Sequence, residues 1–438
     1  MDKFHYNSYD ELESKAAELG LHFPHSDNVK EVFARKVKVE GSNIETKNSL
    51  AIHPMEGFDG ELNGAPSELT WRRYKRFASG GAGLFWFEAT AVCPESRSSK
   101  RQLYINDETV EDYKRLAETM HELSGGAPII MQLTHSGRFS RPTNVPAPII
   151  SYHNPVMNTK FNIDPSYPVA TDEYFDTIPD MYAKAAKLAK DAGFDGVDVK
   201  CCHKYLFSEL LSAYNREGKY GGSFENRTRL LKNSIEAAKQ WADDDFIIAS
   251  RVAPYDVLPY PWGFGADHDN YLKPNLDESF ELIKLLHDEG IRLINLTYGS
   301  PYINPHVNRP YDMGGYEAPE HQLTGVARMI DNTAKYKEKF PDIRFMATGY
   351  TYLRGLAPEV GAGALEGGMA DIIGFGRMAF ANPNFASQIL KTGKIDASSA
   401  CLTCSKCTEL MRAFTTTGCV IRDSDVYMPL YRENCMKK

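Results

Sequence analysis

The 438-residue chain has no long apolar run, no leader-like segment and no excess of positive charge. Each absence removes a class of function. A membrane-crossing helix needs about 18 or more consecutive apolar residues, and no stretch approaches that length. The opening MDKFHYNSYDELESKAAELG lacks the apolar core of a secretory signal. A net charge of −8 argues against nucleic acid or an anionic membrane as the main partner. The expectation is a cytoplasmic protein that acts on a small molecule. Cysteine is sparse as well, 8 residues, and four of them crowd between Cys401 and Cys419. In a chain without a leader, that clustering predicts a metal site and not a disulfide framework. The glycine order of a dinucleotide-binding fold is also missing. GAGALEGG, residues 361–368, departs from G-x-G-x-x-G and lies in a helical stretch.

What is there is repetition. After a helix-and-loop extension (residues 1–40), short apolar runs alternate with amphipathic stretches. The runs are Leu50–His53, Ala82–Glu88, Pro128–Leu133, Gly196–Lys200, Phe246–Arg251, Leu293–Thr297, Phe345–Gly349 and Ile372–Phe375. Stretches such as DEYFDTIPDMYAKAAKLAKDAG and SFELIKLLHDEG carry apolar residues at helical spacing. Strand alternating with helix implies parallel pairing through crossovers, and eight such units close a (β/α)8 TIM barrel over residues 41–395. Insertions at roughly 136–172 and 254–275 follow the third and fifth strands, on the face where barrels keep their active sites. The tail, 396–438, changes character and carries the cysteines.

The motifs fall at strand ends. Met131-Gln132-Leu133-Thr134-His135-Ser136-Gly137-Arg138 closes a buried run with an amide and an imidazole expected to point into the barrel mouth. Residues 192–231 end in Tyr220-Gly221-Gly222-Ser223-Phe224-Glu225-Asn226-Arg227, read as scaffold, with a charged pair opening the next helix. QLTHSGR and YGGSFENRTR resemble the signatures of the Old Yellow Enzyme family of FMN-dependent oxidoreductases, and the resemblance spans about residues 28–395. It implies that Gln132 meets the flavin ring, that Arg251 steadies the reduced ring's negative charge, and that Gly349, Gly376 and Arg377 hold the FMN phosphate. Pro54 and Met55 match the family's strand-one pair, and the backbone of Ala89 is expected near the ring. Tyr205 matches the proton-donating tyrosine, whose phenol is protonated at neutral pH. Of the two positions that hold the substrate carbonyl, His203 fits, whereas Lys200 replaces a histidine. Glu56 stands where relatives carry Thr or Cys. It either faces the flavin, protonated, or turns away.

Cys401, Cys404, Cys407 and Cys419 give C-x2-C-x2-C-x11-C, a spacing suited to a 4Fe–4S cluster; zinc sites more often show two separated C-x-x-C knuckles. The tail resembles the cluster loop of trimethylamine dehydrogenase and 2,4-dienoyl-CoA reductase, longer members of the family that carry further nucleotide-binding domains. The resemblance implies an ene-reductase. NADH, NADPH or an electron-donor protein reduces FMN, hydride passes to the β-carbon of an α,β-unsaturated carbonyl compound, and Tyr205 protonates the α-carbon. Three alternatives stand beside it: a flavin amine dehydrogenase, an electron-carrying subunit, and a flavin-free barrel such as an aldolase with Lys200 as its Schiff-base lysine.

Overall fold

The computed structural model describes residues 3–436. Each of the eight apolar runs overlaps a strand: β1 Leu50–Ile52, β2 Leu84–Ala91, β3 Ile129–Thr134, β4 Gly196–Val199, β5 Ile247–Val252, β6 Leu293–Leu296, β7 Arg344–Ala347 and β8 Ile372–Phe375. All neighbours pair in parallel, and β8 returns to β1 through Leu50↔Ile373, Ala51↔Gly374 and Ile52↔Phe375, so the sheet is a closed barrel in sequence order. Almost every strand residue is buried, as expected of a parallel sheet covered on both faces.

Alternation along the strands separates two cores. Ala51, Leu84, Trp86, Ile130, Ile247, Ala249, Leu293, Met346 and Ile372 meet inside the barrel. Their neighbours in sequence, such as Leu50, Phe85, Ile129, Val197, Ile248, Phe345 and Ile373, pack outward against the helices. Val39 and Ile44 join the inner cluster from a short turn whose arms pair at Lys38↔Glu45, and so close the barrel floor. Helix Asp172–Asp191 shows how the outer layer is specified. Thr171 caps its start by accepting from the Tyr174 N–H, and Phe175, Ile178, Tyr182, Ala185 and Ala189 form a helical stripe buried against the barrel.

The tail folds back over the barrel mouth. Its helices Lys406–Arg412 and Ser424–Cys435 share a small core of Leu410, Val420, Tyr427 and Tyr431. Gly418 is needed there, because a Cβ would strike the Tyr427 ring at 2.1 Å. Asp423 accepts from Arg72 at 2.8 Å and also pairs with Arg76, both on helix Glu68–Ala78. The Thr417 N–H donates to the Gly57 carbonyl at 2.7 Å. A second tie gathers four segments at one buried carboxylate: Asp312 accepts from the Phe4 N–H at 3.0 Å and pairs with Arg354, which also donates to the Leu402 carbonyl. No helix among the described residues is long and apolar enough to cross a membrane.

Candidate active site

Two residues beyond the apolar layer, the inward positions turn polar: His53 follows Ala51, Gln132 follows Ile130, Asp198 follows Gly196, Arg251 follows Ala249 and Asn295 follows Leu293. Asp198 organises this ring. Its carboxylate accepts from Gln132 Nε2 at 2.6 Å, Trp86 Nε1 at 2.7 Å and the Arg251 backbone N–H at 2.6 Å. Burial raises its pKa to about 6 despite those donors. Since the folded value lies above the unfolded one, the fold retains a proton that the open chain gives up between pH about 4 and about 6. The group's contribution to stability therefore falls as pH rises through that window. Asp198→Asn removes the titration and leaves one of three donors facing an amide N–H. In urea unfolding, the stability difference between variant and parent is expected to move in the variant's favour as pH rises from about 4 to about 6. A constant difference would overturn the assignment.

Above the ring lies a cavity of about 550 Å³. Pro54, Met55, Gln132, Lys200, His203, Tyr205, Arg251, Gly349, Gly376 and Arg377 all line it. Ala89 is not among its lining residues, because its carbonyl is turned to Gln102 Nε2 at 3.1 Å, where β2 bulges between Phe87 and Thr90. The same Gln102 amide donates to Glu56 at 2.9 Å. Glu56 lines the cavity, and burial raises its pKa although Lys200 and Gln102 oppose the shift. His135 departs from expectation. It does not face the mouth but is buried as an anchor, its Nε2 2.9 Å from the Tyr174 hydroxyl, and burial lowers its pKa to about 3. Arg138 is likewise committed, to Glu209 at 2.5 Å, Asn158 at 2.6 Å and the Tyr152 carbonyl at 2.8 Å. In the scaffold run, Glu225 and Arg227 pair with other residues and not with each other: Arg227 with Glu278 at 2.5 Å and Glu225 with Arg229 at 3.2 Å.

The loop after β4 is held in an uncommon conformation. His203 and Lys204 both have positive φ, 65° and 60°, which costs non-glycine residues about 1–3 kcal/mol each. Lys204 is fastened to Asp256 at 2.5 Å and Ser212 at 2.6 Å, wholly buried. That clamp holds His203 and Tyr205 against the cavity. Burial, with Arg251 and Lys200 nearby, keeps His203 well below the ordinary imidazole range, so it is neutral. Burial, together with Glu56 and Tyr302, pushes the Tyr205 phenol well up. Lys200 Nζ sits 3.8 Å from the centre of the Tyr205 ring.

Tyr302 is the partner that the sequence concealed. Its hydroxyl is 2.8 Å from that of Tyr205, and its ring stacks on Phe139 with centroids 4.0 Å apart. It belongs to the connection after β6, which supplies Tyr302, Asn308, Arg309 and Tyr316 to the cavity, whereas the 254–275 insertion supplies no lining residue. A tyrosine in a Pro- and Asn-rich loop carries no local signal of its role. The tail adds Cys407, Met411, Arg412 and Thr417 to the wall.

Cys401, Cys404, Cys407 and Cys419 line a second, small cavity that shares Arg377, Phe380 and Cys407 with the first. Backbone N–H groups of Thr403 and Arg422 donate to the sulfurs of Cys401 and Cys419 at 3.4 and 3.3 Å. Among the described residues, no three ligand-type side chains meet as a single-ion site.

Comparison with known proteins agrees with this arrangement. The model of the NADH:flavin oxidoreductase / NADH oxidase family matches residues 39–395. The chain is 28% identical to an NADPH dehydrogenase of Bacillus subtilis (strain 168) over 355 residues, 79% of this chain and 90% of the relative. It is 30% identical to one of Listeria innocua over 283 residues, 63% and 75% of the two chains. Among solved structures it resembles a 2-naphthoyl-CoA reductase in complex with 2-naphthoyl-CoA (TM-score 0.71, 19% identity), covering 90% of this chain and 57% of that one. It also resembles histamine dehydrogenase from Rhizobium sp. 4-9 (0.68, 20%; 90% and 52%) and an Old Yellow Enzyme homologue from Zymomonas mobilis (0.61, 21%; 84% and 95%). The chain thus spans little more than half of the first two structures, and at these identities the likeness shows the fold. The match over residues 39–395 and the closed barrel place the chain in the NADH:flavin oxidoreductase family, to which the Old Yellow Enzymes belong, as a flavin-dependent oxidoreductase.

Proposed function

We propose that the protein is an ene-reductase that reduces α,β-unsaturated carbonyl compounds. The observation that carries this reading is the convergence on one cavity of a protonated phenol, Tyr205, a neutral imidazole, His203, and the flavin-binding set Gln132, Arg251, Gly349, Gly376 and Arg377.

The donor set fits FMN. Arg251 Nε and Arg377 Nη1 are buried without a partner among the described residues, which suits anionic positions on a ligand. Gly349 has a φ of 105°, and a Cβ there would press on Met329 at 3.0 Å. The positive φ and the Met329 side chain both require glycine here, at a position that lines the cavity. Gln132 is fixed by Asp198 through its nitrogen, so its oxygen is left to accept from a ring N–H. When bound, FMN supplies the hydride chemistry. The chain's own residues do the rest. His203 donates to the substrate carbonyl, Lys200 adds a nearby positive charge, and Tyr205 delivers a proton to the α-carbon from its hydroxyl. Tyr302 holds that hydroxyl in place and can return a proton to it. The cavity's arginines oppose an amine cation, which favours this reading over amine oxidation.

The four tail thiols fit a 4Fe–4S cluster by the same kind of argument. They surround one small cavity; backbone N–H groups donate to the sulfurs of Cys401 and Cys419, and Arg377 lies near Cys401 and Cys407. A single zinc would draw all four sulfurs to about 2.3 Å from one point.

The test is chemical. Anaerobically purified protein should release about one FMN per chain on denaturation, identified by chromatography, and should reduce an enone with NADH or NADPH. Release of FAD, or of no flavin, sinks the reading.

A further inference from the structure

Eight cationic side chains line the main cavity but only one carboxylate, Glu56. Most of the cations have work already. Arg138 is paired with Glu209, Arg251 and Arg377 belong to the flavin set, Arg309 donates to Ser405 at 3.4 Å beside the cysteine loop, and Lys200 lies on Tyr205. Three remain, Arg141, Lys160 and Arg412, and among the described residues none has a carboxylate within ion-pair distance. Arg141 and Lys160 come from the 136–172 insertion and Arg412 from the tail, and all three line the cavity with Tyr205 and Tyr302. Arg141 lies 4.6 Å over the Phe414 ring, and Lys160 Nζ is 3.3 Å from the carbonyl of Ile303, the residue after Tyr302. Arg412 lies close enough to Gly315 for a Cβ there to meet its guanidinium at 3.3 Å. Arg412 also repels Lys160, lowering the latter's pKa after the larger effect of burial. Three like charges gathered without counter-charge raise the local concentration of anions. Arg141 and Arg412 are both electrostatic neighbours of Tyr302, the partner of the Tyr205 phenol.

We infer that Arg141, Lys160 and Arg412 form an anion clasp for a carboxylate or phosphate carried by the substrate at the end remote from its activated alkene. A molecule whose reactive end reaches Tyr205 and His203 would leave its other end at the rim, beside Arg141 and the exposed Lys160 and Arg412. This inference rests on the flavin ene-reductase reading of the cavity.

The holoenzyme tests it with two enones of one shape, 4-phenylbut-3-en-2-one and its para-carboxylate. Dissociation constants from calorimetry and KM from turnover are compared. The carboxylate should bind about tenfold more tightly, the size of one charge-assisted hydrogen bond, and the preference should shrink as salt rises. In the Lys160→Gln/Arg412→Gln double variant the ratio of the two constants should fall toward one. Equal affinity of the parent for both enones would overturn the clasp. So would a variant whose defect lies only in cofactor reduction by NADPH, which would assign the rim to the donor. Turnover of neither enone, with no flavin bound, is a different result. It would remove the underlying reading, whereas turnover of both without preference removes only the clasp.

Discussion

Replacement of Tyr205 by Phe is expected to slow alkene reduction by ~10²- to 10⁴-fold, the range that a positioned general acid contributes. Reduction of the bound cofactor by NADPH should change little. The phenol qualifies on geometry before acidity. It lines the cavity, follows the clamped pair His203 and Lys204, and is fixed by Tyr302 at 2.8 Å. Burial keeps it protonated at working pH, with Glu56 adding to the shift. Tyr302 touches Tyr205 and not the ring of strand-end residues, so Tyr302→Phe should have the smaller effect. Its mark should be a changed pH profile for the oxidative half-reaction, with cofactor reduction preserved. Stopped-flow kinetics separate the two halves. Equal slowing of both halves in Tyr205→Phe, or of neither, would deny the residue its role.

The second large effect concerns the tail. In Cys404→Ala, iron should fall from about four per chain to a small fraction, with loss of the brown absorbance that such a cluster gives. The barrel should persist, since its eight strands close on one another without any tail residue. The tail has little core of its own beyond Leu410, Val420, Tyr427 and Tyr431, and ligation contributes folding energy to such segments. With Met411, Arg412 and Thr417 in the cavity wall, the variant should also show a raised KM for the enone. Far-UV circular dichroism, iron analysis and limited proteolysis of residues 396–438 read the three effects separately. Full iron content in the variant would refute the ligand assignment, and zinc in place of iron would replace it.

The barrel was legible because its signals are local. Buried apolar runs of four to eight residues, each followed by a helical stripe, need no knowledge of distant contacts. Gln132 and Arg251 were singled out by the motifs' resemblance to the Old Yellow Enzyme family, and both line the cavity. Asp198, an acid inside Gly196–Val199, went unread because its three donors come from three other strands. His135 looked like a mouth residue, but one step along a strand reverses a side chain's direction. Tyr302, Arg412 and the β6 connection were hidden because loop positions are set by tertiary contacts. The 254–275 insertion had the composition of an active-site loop, yet Asp256 spends its carboxylate on clamping Lys204. Glu56 was left between two orientations, and its bond with Gln102 shows that it faces the cavity.

The folded-back tail has a consequence for how the site is made. On the ribosome, β1 to β8 are complete once residue 375 has emerged, while Cys407 to Thr417 are still to come. Domains fold in the order of synthesis, so the barrel can close while its mouth still lacks the tail's part of the wall. The thiols then arrive, Asp423 meets Arg72 and Arg76, and the doorway becomes a wall. Chain position thus separates the closing of the barrel from the docking of the tail, and the cavity wall is completed last, by the cysteine-bearing segment.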